Sequence, residues 1–287
     1  MSRIGNLPTL VGVDGSPVAL AAIRWAAVDA ARHNVPLHLL YAIGDLGEFG
    51  SGFELGQFDF DNYRQGGLDA LETARATAIA ESGSIAELDI STELVDMPPI
   101  PVLSDRSKTA RLLVVGTHGL GAVSRRLLGS VSTALARHAA CPVAVIPETP
   151  AAPNRPVVVG VDGSRSSAHA VEIAFDQAAF RGVELVAVHT WSEFLRFESS
   201  GQMQEKGEEL LARSIAGFRE KYPEVPVHRV VTEDRPADRL VMLGDKSQVI
   251  VVGSHGRGGF SGMMLGSVGK AVLHAAEVPV IIARSAS

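Results

Sequence analysis

The sequence predicts an α/β fold of two tandem, doubly wound domains, each a parallel sheet with helices on both faces. Three observations lead there. Short apolar runs alternate with helical patterns along the whole chain, the order that sets parallel strands under crossover helices. The run Val249-Ile250-Val251-Val252 leads into Gly253-Ser254-His255-Gly256 and, nine residues on, Gly266-Ser267; the same G-x2-G-x9-G-S spacing recurs at Gly116, Gly119, Gly129 and Ser130, behind Leu112-Leu113-Val114-Val115. Finally, G-V-D-G-S at Gly12 to Ser16 returns 148 residues later at Gly160 to Ser164.

The first element is the strand Thr9-Leu10-Val11-Gly12-Val13, followed by an acidic tip, a Ser N-cap and Pro17 at the first helical position. Its helix runs to about His33, with Asn34 at the left-handed C′ position, and the second copy ends at the matching Gly182. Second strands follow at Leu37 to Ile43 and Val183 to His189, then longer helices at about Tyr63 to Glu81 and Met203 to Glu220. Third strands at Leu88 to Val95 and Val225 to Val231 lead to short helices from about Pro101 and Pro236. After the glycine loops and their helices, last strands run at Val143 to Ile146 and Val278 to Ala283. In the loop helices, Val131, Ala134 and Leu135, and Val268, Ala271, Val272 and Ala275, fall on one face.

Proline stands at every third position from Pro147 to Pro156, which predicts a semi-rigid, extended spacer. The domains are therefore placed at 1–146 and 157–287, with 147–156 as linker. The first half carries 11 more residues between its landmarks than the second, and the surplus is expected in Gly44 to Phe60, as a lid over the first site.

A hydrophobic content of 46% with only 5% aromatics fits Ala-, Val- and Leu-rich helices on buried strands. The net charge of −6 argues against nucleic acid or an anionic membrane as partner, since both need a basic face. Cys141, the one cysteine, is expected as a buried thiol at a strand entrance and excludes an intramolecular disulfide. No apolar run reaches the roughly 20 residues of a membrane span and no leader pattern opens the chain, so the expected location is the cytoplasm.

Glycines permit positive φ and close approach of a ligand. A helix starting at Ser130 or Ser267 aims unpaired N–H groups and the positive end of its dipole at the loop, and that combination attracts phosphate. One copy reads as an ordinary turn before a Ser N-cap; two copies with the same spacer read as a device. Asp14 and Asp162, at the carboxyl edge where ligands of open parallel sheets bind, serve as helix-entrance turn residues, as base or ribose contacts, or as both. His118 and His255 occupy matching loop positions as phosphate donors or water-facing rings. Arg257 in one loop, and Arg125 and Arg126 in the other, are phosphate contacts or solvated surface groups.

The dinucleotide fingerprint G-x-G-x-x-G is absent, because Gly119/Gly121 and Gly256/Gly258 are followed by Ser124 and Ser261 where a third glycine belongs. The P-loop is absent as well, since Gly269-Lys270 is followed by alanine. Nucleophile elbows, H-E-x-x-H helices and kinase signatures are missing too.

G-V-D-G-S after the first strand, G-T-H-G or G-S-H-G after the fourth, nine residues and then G-S-V resemble the universal stress protein family, in its tandem form, over nearly the whole chain. G-x2-G-x9-G-[ST] resembles its ATP-binding branch. The resemblance implies five-stranded parallel sheets, a last strand pairing across a homodimer or an intramolecular pseudo-dimer, and ATP, ADP or AMP as cofactor, with magnesium carried by the nucleotide phosphates and no metal-ligating side chains. It implies contacts from Gly12, Asp14, Gly116, Gly119, Gly129, Ser130 and Val131, and from Gly160, Asp162, Gly253, Gly256, Gly266, Ser267 and Val268. His118, Gly121, Arg126, His255, Arg257, Gly258 and Gly269 complete the candidate set. The expected function is ATP-binding regulation in the stress response, through conformation or partner binding and without catalytic residues. The alternative is a slow magnesium-dependent ATPase or phosphotransferase.

Overall fold

A computed structural model describes residues 7–44, 57–119, 128–191, 199–257 and 265–284. The chain divides after Glu148 into two compact units. In the first, β1 (Thr9–Val13), α1 (Pro17–His33), β2 (Leu37–Ala42), α2 (Gln57–Ser82), β3 (Ile90–Val95), α3 (Pro99–Arg106), β4 (Leu112–Gly116), α4 (Ser130–His138) and β5 (Val143–Ile146) follow one another. The strands form a parallel sheet in the order β3-β2-β1-β4-β5. The second unit repeats the plan with β6 (Val157–Gly160), α5 (Arg165–Arg181), β7 (Leu185–Trp191), α6 (Ser200–Lys221), β8 (Val227–Glu233), α7 (Pro236–Gly244), β9 (Val249–Gly253), α8 (Ser267–Ala275) and β10 (Val280–Ala283). Its strand order is β8-β7-β6-β9-β10, again parallel. Each sheet reverses its winding between its first and fourth strands, which opens a crevice at their carboxyl ends.

The first helix of each unit is bounded as its sequence dictates. Ser16 Oγ accepts the Ala19 N–H at 3.1 Å, Pro17 opens α1, and Asn34 takes the left-handed conformation at φ 51°. In α5, Ser164 caps the Ser167 N–H and Gly182 ends the helix at φ 63°. Small side chains let both helices lie close on their sheets: Ala22, Ala26, Ala27 and Ala30 of α1, and Ala170, Ala174 and Ala178 of α5, are buried. Leu39 and Leu113 in one sheet, and Val159 and Ile250 in the other, are fully covered, as strands sandwiched between helix layers must be. Cys141 is a buried thiol outside any disulfide, just before β5, and its Sγ lies 3.4 Å from Pro142 O.

Several boundaries depart from expectation for local reasons. β7 starts at Leu185 rather than Val183 because the Val183 N–H closes the end of α5 on the Ala178 carbonyl. β8 starts at Val227 because the Val225 N–H is held in a turn by Tyr222 O. α3 begins at Pro99 rather than Pro101, the first helical turn tolerating proline because its N–H groups have no intrahelical acceptor. α2 has 26 residues against 22 in α6, so part of the first half's surplus is helix rather than loop. The expected lid at 44–60 lies almost wholly outside the described residues.

The proline-rich segment is not the extended spacer its spacing predicts. It bends and turns at Pro153–Asn154, where the Arg155 N–H donates to Ala152 O. The buried Gln248 amide donates to the carbonyls of Pro153 and Arg155, and the Arg155 guanidinium donates to Asp245 O at 2.7 Å. Those bonds override the polyproline preference.

Candidate functional site

Gly12, Val13 and Asp14 leave β1 at the carboxyl edge, beside the end of β4 at Gly116; Gly160, Val161 and Asp162 do the same beside Gly253. Each aspartate holds a helix entrance: Asp14 Oδ1 accepts the Ser16 N–H, and Asp162 Oδ1 the Ser164 N–H, both at 2.9 Å. The intervening Gly15 and Gly163 have φ of 80° and 78°, a region that side chains disfavour. The second carboxylate oxygen reaches the glycine loop. Asp162 Oδ2 accepts the Arg257 N–H at 3.2 Å, and Asp14 Oδ2 lies against Gly119.

The loop glycines act through space rather than through positive φ, which, among the described glycines, only Gly15, Gly44, Gly163 and Gly182 adopt. A Cβ on Gly116 would stand 2.7 Å from Val18 Cγ1, and one on Gly253 2.9 Å from the Ser166 carbonyl carbon. These two let α1 and α5 press on the strand ends. Gly12 meets Leu103 of α3 at 3.1 Å in the same sense, and Gly160 meets Leu240 of α7 at 3.0 Å. Gly119 and Gly256 make room for the two aspartates, and Gly129 for the Cα of His118.

Ser130 and Ser267 are first helical residues, not caps. The caps are Gly129 and Gly266, both extended at ψ 160°, with no side-chain cap bond. Their own N–H groups are taken by Thr117 O and Ser254 O at 2.7 Å. The N–H groups of the next three residues have no acceptor within the helix, and glycine at the cap offers them no side-chain oxygen. A concave, positively polarised patch results at each loop.

The buried face of these helices is turned from the expected one. Ser132, Leu135 and Ala136 of α4, and Gly269, Val272 and Leu273 of α8, are buried, while Ala271 and Ala275 are exposed. Val131 and Val268 instead line the cavities at the helix starts. Ser132 Oγ donates to Thr117 O at 2.9 Å and ties α4 to its loop; Gly269 in the other unit cannot.

In the first unit these elements enclose a cavity of about 430 Å³, in the second one of about 140 Å³. The first brings together Gly12, Asp14, Gly116, His118, Gly119, Gly129, Ser130 and Val131, and the second Gly160, Asp162, Gly253, His255, Gly256, Gly266, Ser267, Val268 and Gly269. Each loop histidine is steadied by a hydroxyl, His118 Nδ1 lying 3.0 Å from Thr117 Oγ1 and His255 Nδ1 3.1 Å from Ser254 Oγ. Burial, then the charge of Arg284, lowers the His255 pKa from its ordinary imidazole value, which favours the neutral ring. Arg257 is exposed and its guanidinium lies over Gly163, outside the cavity lining. Gly121, Arg126 and Gly258 lie outside the described residues. Sequence reasoning missed the apolar walls, Leu40, Ala42 and Leu103 in one unit and Val188 and Leu240 in the other; as apolar residues of strands and helices, they carry no mark that separates them from core.

The family model described as the universal stress protein family matches residues 7–147 and again 153–284. The chain belongs to that family. Among its relatives, Universal stress protein Rv2005c of Mycobacterium tuberculosis (strain ATCC 25618 / H37Rv) is 45% identical, covering 96% of each chain. Universal stress protein Rv1996 of the same strain is 42% identical over 97% of this chain and 95% of its own. A universal stress protein from Archaeoglobus fulgidus DSM 4304 shares the fold, with a TM-score of 0.71 at 20% identity, over 98% of this chain and 97% of that one. Among the described residues of this universal stress protein, no helix is long and apolar enough to cross a membrane, and no group of three His, Cys, Asp or Glu side chains gathers as for a metal ion.

Proposed function

We propose that this universal stress protein is an ATP-binding regulator of the stress response, with one adenine-nucleotide site in each unit, acting through nucleotide-dependent conformation or partner binding. One observation supports the reading above the others. In both units a helix start without a side-chain cap faces a cavity floored by apolar side chains and flanked by an aspartate. The amides of Ser130 and Val131, or of Ser267 and Val268, suit phosphate oxygens, which would carry magnesium with them. The apolar walls suit a base, and Asp14 or Asp162 a ribose hydroxyl. A first cavity of about 430 Å³ lies within the range of small-molecule sites, whereas the second, about 140 Å³, has to widen to admit a nucleotide, so the first site is expected to bind the more tightly.

Regulation requires ligand to favour one of two states. Calorimetric titration of the full chain with ATP and magnesium, together with mass spectrometry of small molecules that co-purify, tests the reading. Saturable binding, or recovery of an adenine nucleotide, is expected; a flat titration of folded protein with no nucleotide recovered would end it. Cytoplasmic residence, a linker at 147–156 and a homodimer complete the proposal. Fractionation, limited proteolysis and light scattering check these in turn.

A further inference from the structure

On the side of the first sheet that carries α1 and α2, a second cavity of about 510 Å³ opens beside Asp14. Tyr41, at the end of β2, and Tyr63, Asp69 and Ala70 of α2 line it, together with Asp14 and Gly15. Val13, Asp14 and Ala19 line this cavity and the candidate nucleotide cavity alike, and the other residues just named line only this one.

The second unit shows what fits there. Gly15 and Gly163 are equivalent in sequence and in positive φ. A Cβ on Gly15 would lie 3.5 Å from Ala70 Cβ, whereas one on Gly163 would lie 3.2 Å from Leu210 Cδ1 and 2.8 Å from Arg257 Nη2. Ala70 and Leu210 are thus counterparts, a match reinforced by Gly67 and Gly207, which pack against Tyr41 and the equivalent His189. In the second unit a leucine and a guanidinium from the chain itself occupy the place. In the first, alanine leaves it open among the described residues, which do not include Leu120, the sequence counterpart of Arg257.

We propose that the α1–α2 cavity of the first unit binds a guanidinium carried on an aliphatic stem, the group that Arg257 lays in the corresponding place of the second unit. The chemistry of the lining agrees. Asp14 and Asp69 supply negative charge, Asp69 Oδ1 also accepting from the Gln65 amide, and Tyr41 and Tyr63 bring aromatic groups of the kind that suit a weakly hydrated cation and its methylenes. Burial first, then the Asp14 charge, raises the pKa of the Tyr41 hydroxyl, so the carboxylate's field reaches the ring. The guanidinium belongs either to a small solute or to an arginine side chain of a partner.

The test titrates the full chain with 1-butylguanidine, with its neutral isostere 1-butylurea, and with a blocked Gly-Arg-Gly peptide, followed by ligand-observed NMR. Butylguanidine is expected to bind at least tenfold more tightly than butylurea. The better binder of butylguanidine and peptide identifies the source. Ala70→Leu should abolish binding and Asp69→Asn weaken it. The double variant Leu210→Ala/Arg257→Ala should create a second site, raising the stoichiometry from one to two. Equal binding of the urea, no binding of any cation, or undiminished binding by folded Ala70→Leu protein would overturn the proposal. None of these outcomes depends on nucleotide binding.

Discussion

The carboxylate of Asp14 lies where a side chain on Gly119 would have to stand, and Asp162 bears the same relation to Gly256, 2.8 Å from its would-be Cβ. Glycine at the second loop position therefore serves the aspartate as much as any ligand. Gly119→Val should push Asp14 off its position, and Gly256→Val should do so for Asp162. We expect ATP affinity at the affected site to fall at least about tenfold, the equivalent of about 1.4 kcal/mol. Titration of the two variants, set beside thermal melts that stay near wild type, checks this. Loss of the tighter phase in Gly256→Val rather than Gly119→Val would reverse the assigned order of the sites.

Gly116 and Gly253 behave differently, because each would drive a Cβ into a packed helix, against Val18 or the Ser166 main chain. Gly116→Ala and Gly253→Ala should each cost about 1–3 kcal/mol of stability, read as a lower urea midpoint. Midpoints unchanged from wild type would refute the packing role. A loss of ligand in such variants would report unfolding, so they are poor probes of binding.

Acid should unfold the first unit partly through Glu93. The hydrogen bond from Arg106, helped by His38, holds its carboxyl at about 2 against an ordinary 4.5. A depressed carboxyl adds stability that is full above about pH 4.5 and disappears as the pH falls through about 2. With the Glu93 side chain 28% exposed and Arg106 43% exposed, solvent screening leaves on the order of 1 kcal/mol. Glu93→Gln should flatten acid unfolding between pH 4.5 and 2 while lowering stability at pH 7. An identical acid profile would show that the cluster contributes nothing.

Asp29, 1% exposed, receives the Arg111 guanidinium at 2.7 Å. The equivalent places in the second unit hold Gln177 and Gln248, both buried. Asp29→Ala should cost about 3–5 kcal/mol, because it takes the carboxylate from a largely buried guanidinium. Gln177 and Gln248 are bridged by Arg181, which stands where the first unit has His33, so Asp29→Gln/Arg111→Gln/His33→Arg, which copies the second unit, should cost much less. Chemical denaturation of both variants decides, and equal losses would contradict the comparison.

The strand and helix plan was legible because each element carries its own punctuation. Ser16 with Pro17, Asn34, Ser164 and Gly182 sit where their backbone chemistry requires them. Departures arise where another hydrogen-bond partner overrides the pattern: the remote Gln248 bends the proline segment, and the nearby Ala178 carbonyl takes the Val183 N–H for a helix end. In the loop helices, periodicity gave the right stripe width but the wrong rotation, since Val131 and Val268 face a cavity that sequence cannot display. At the candidate sites, the glycines and aspartates stood out by type and spacing. Their packing roles, and the apolar walls around them, depend on neighbours remote in sequence.

Each aspartate that joins a helix entrance to a glycine loop also makes a built-in reporter. The Ser16 and Ser164 amides are bonded to one oxygen of a carboxylate whose other oxygen belongs to the loop. A rearrangement of either loop must therefore alter the rate at which that amide trades its proton for solvent deuterium. The state of each unit is written into a single exchangeable hydrogen, readable without an attached dye.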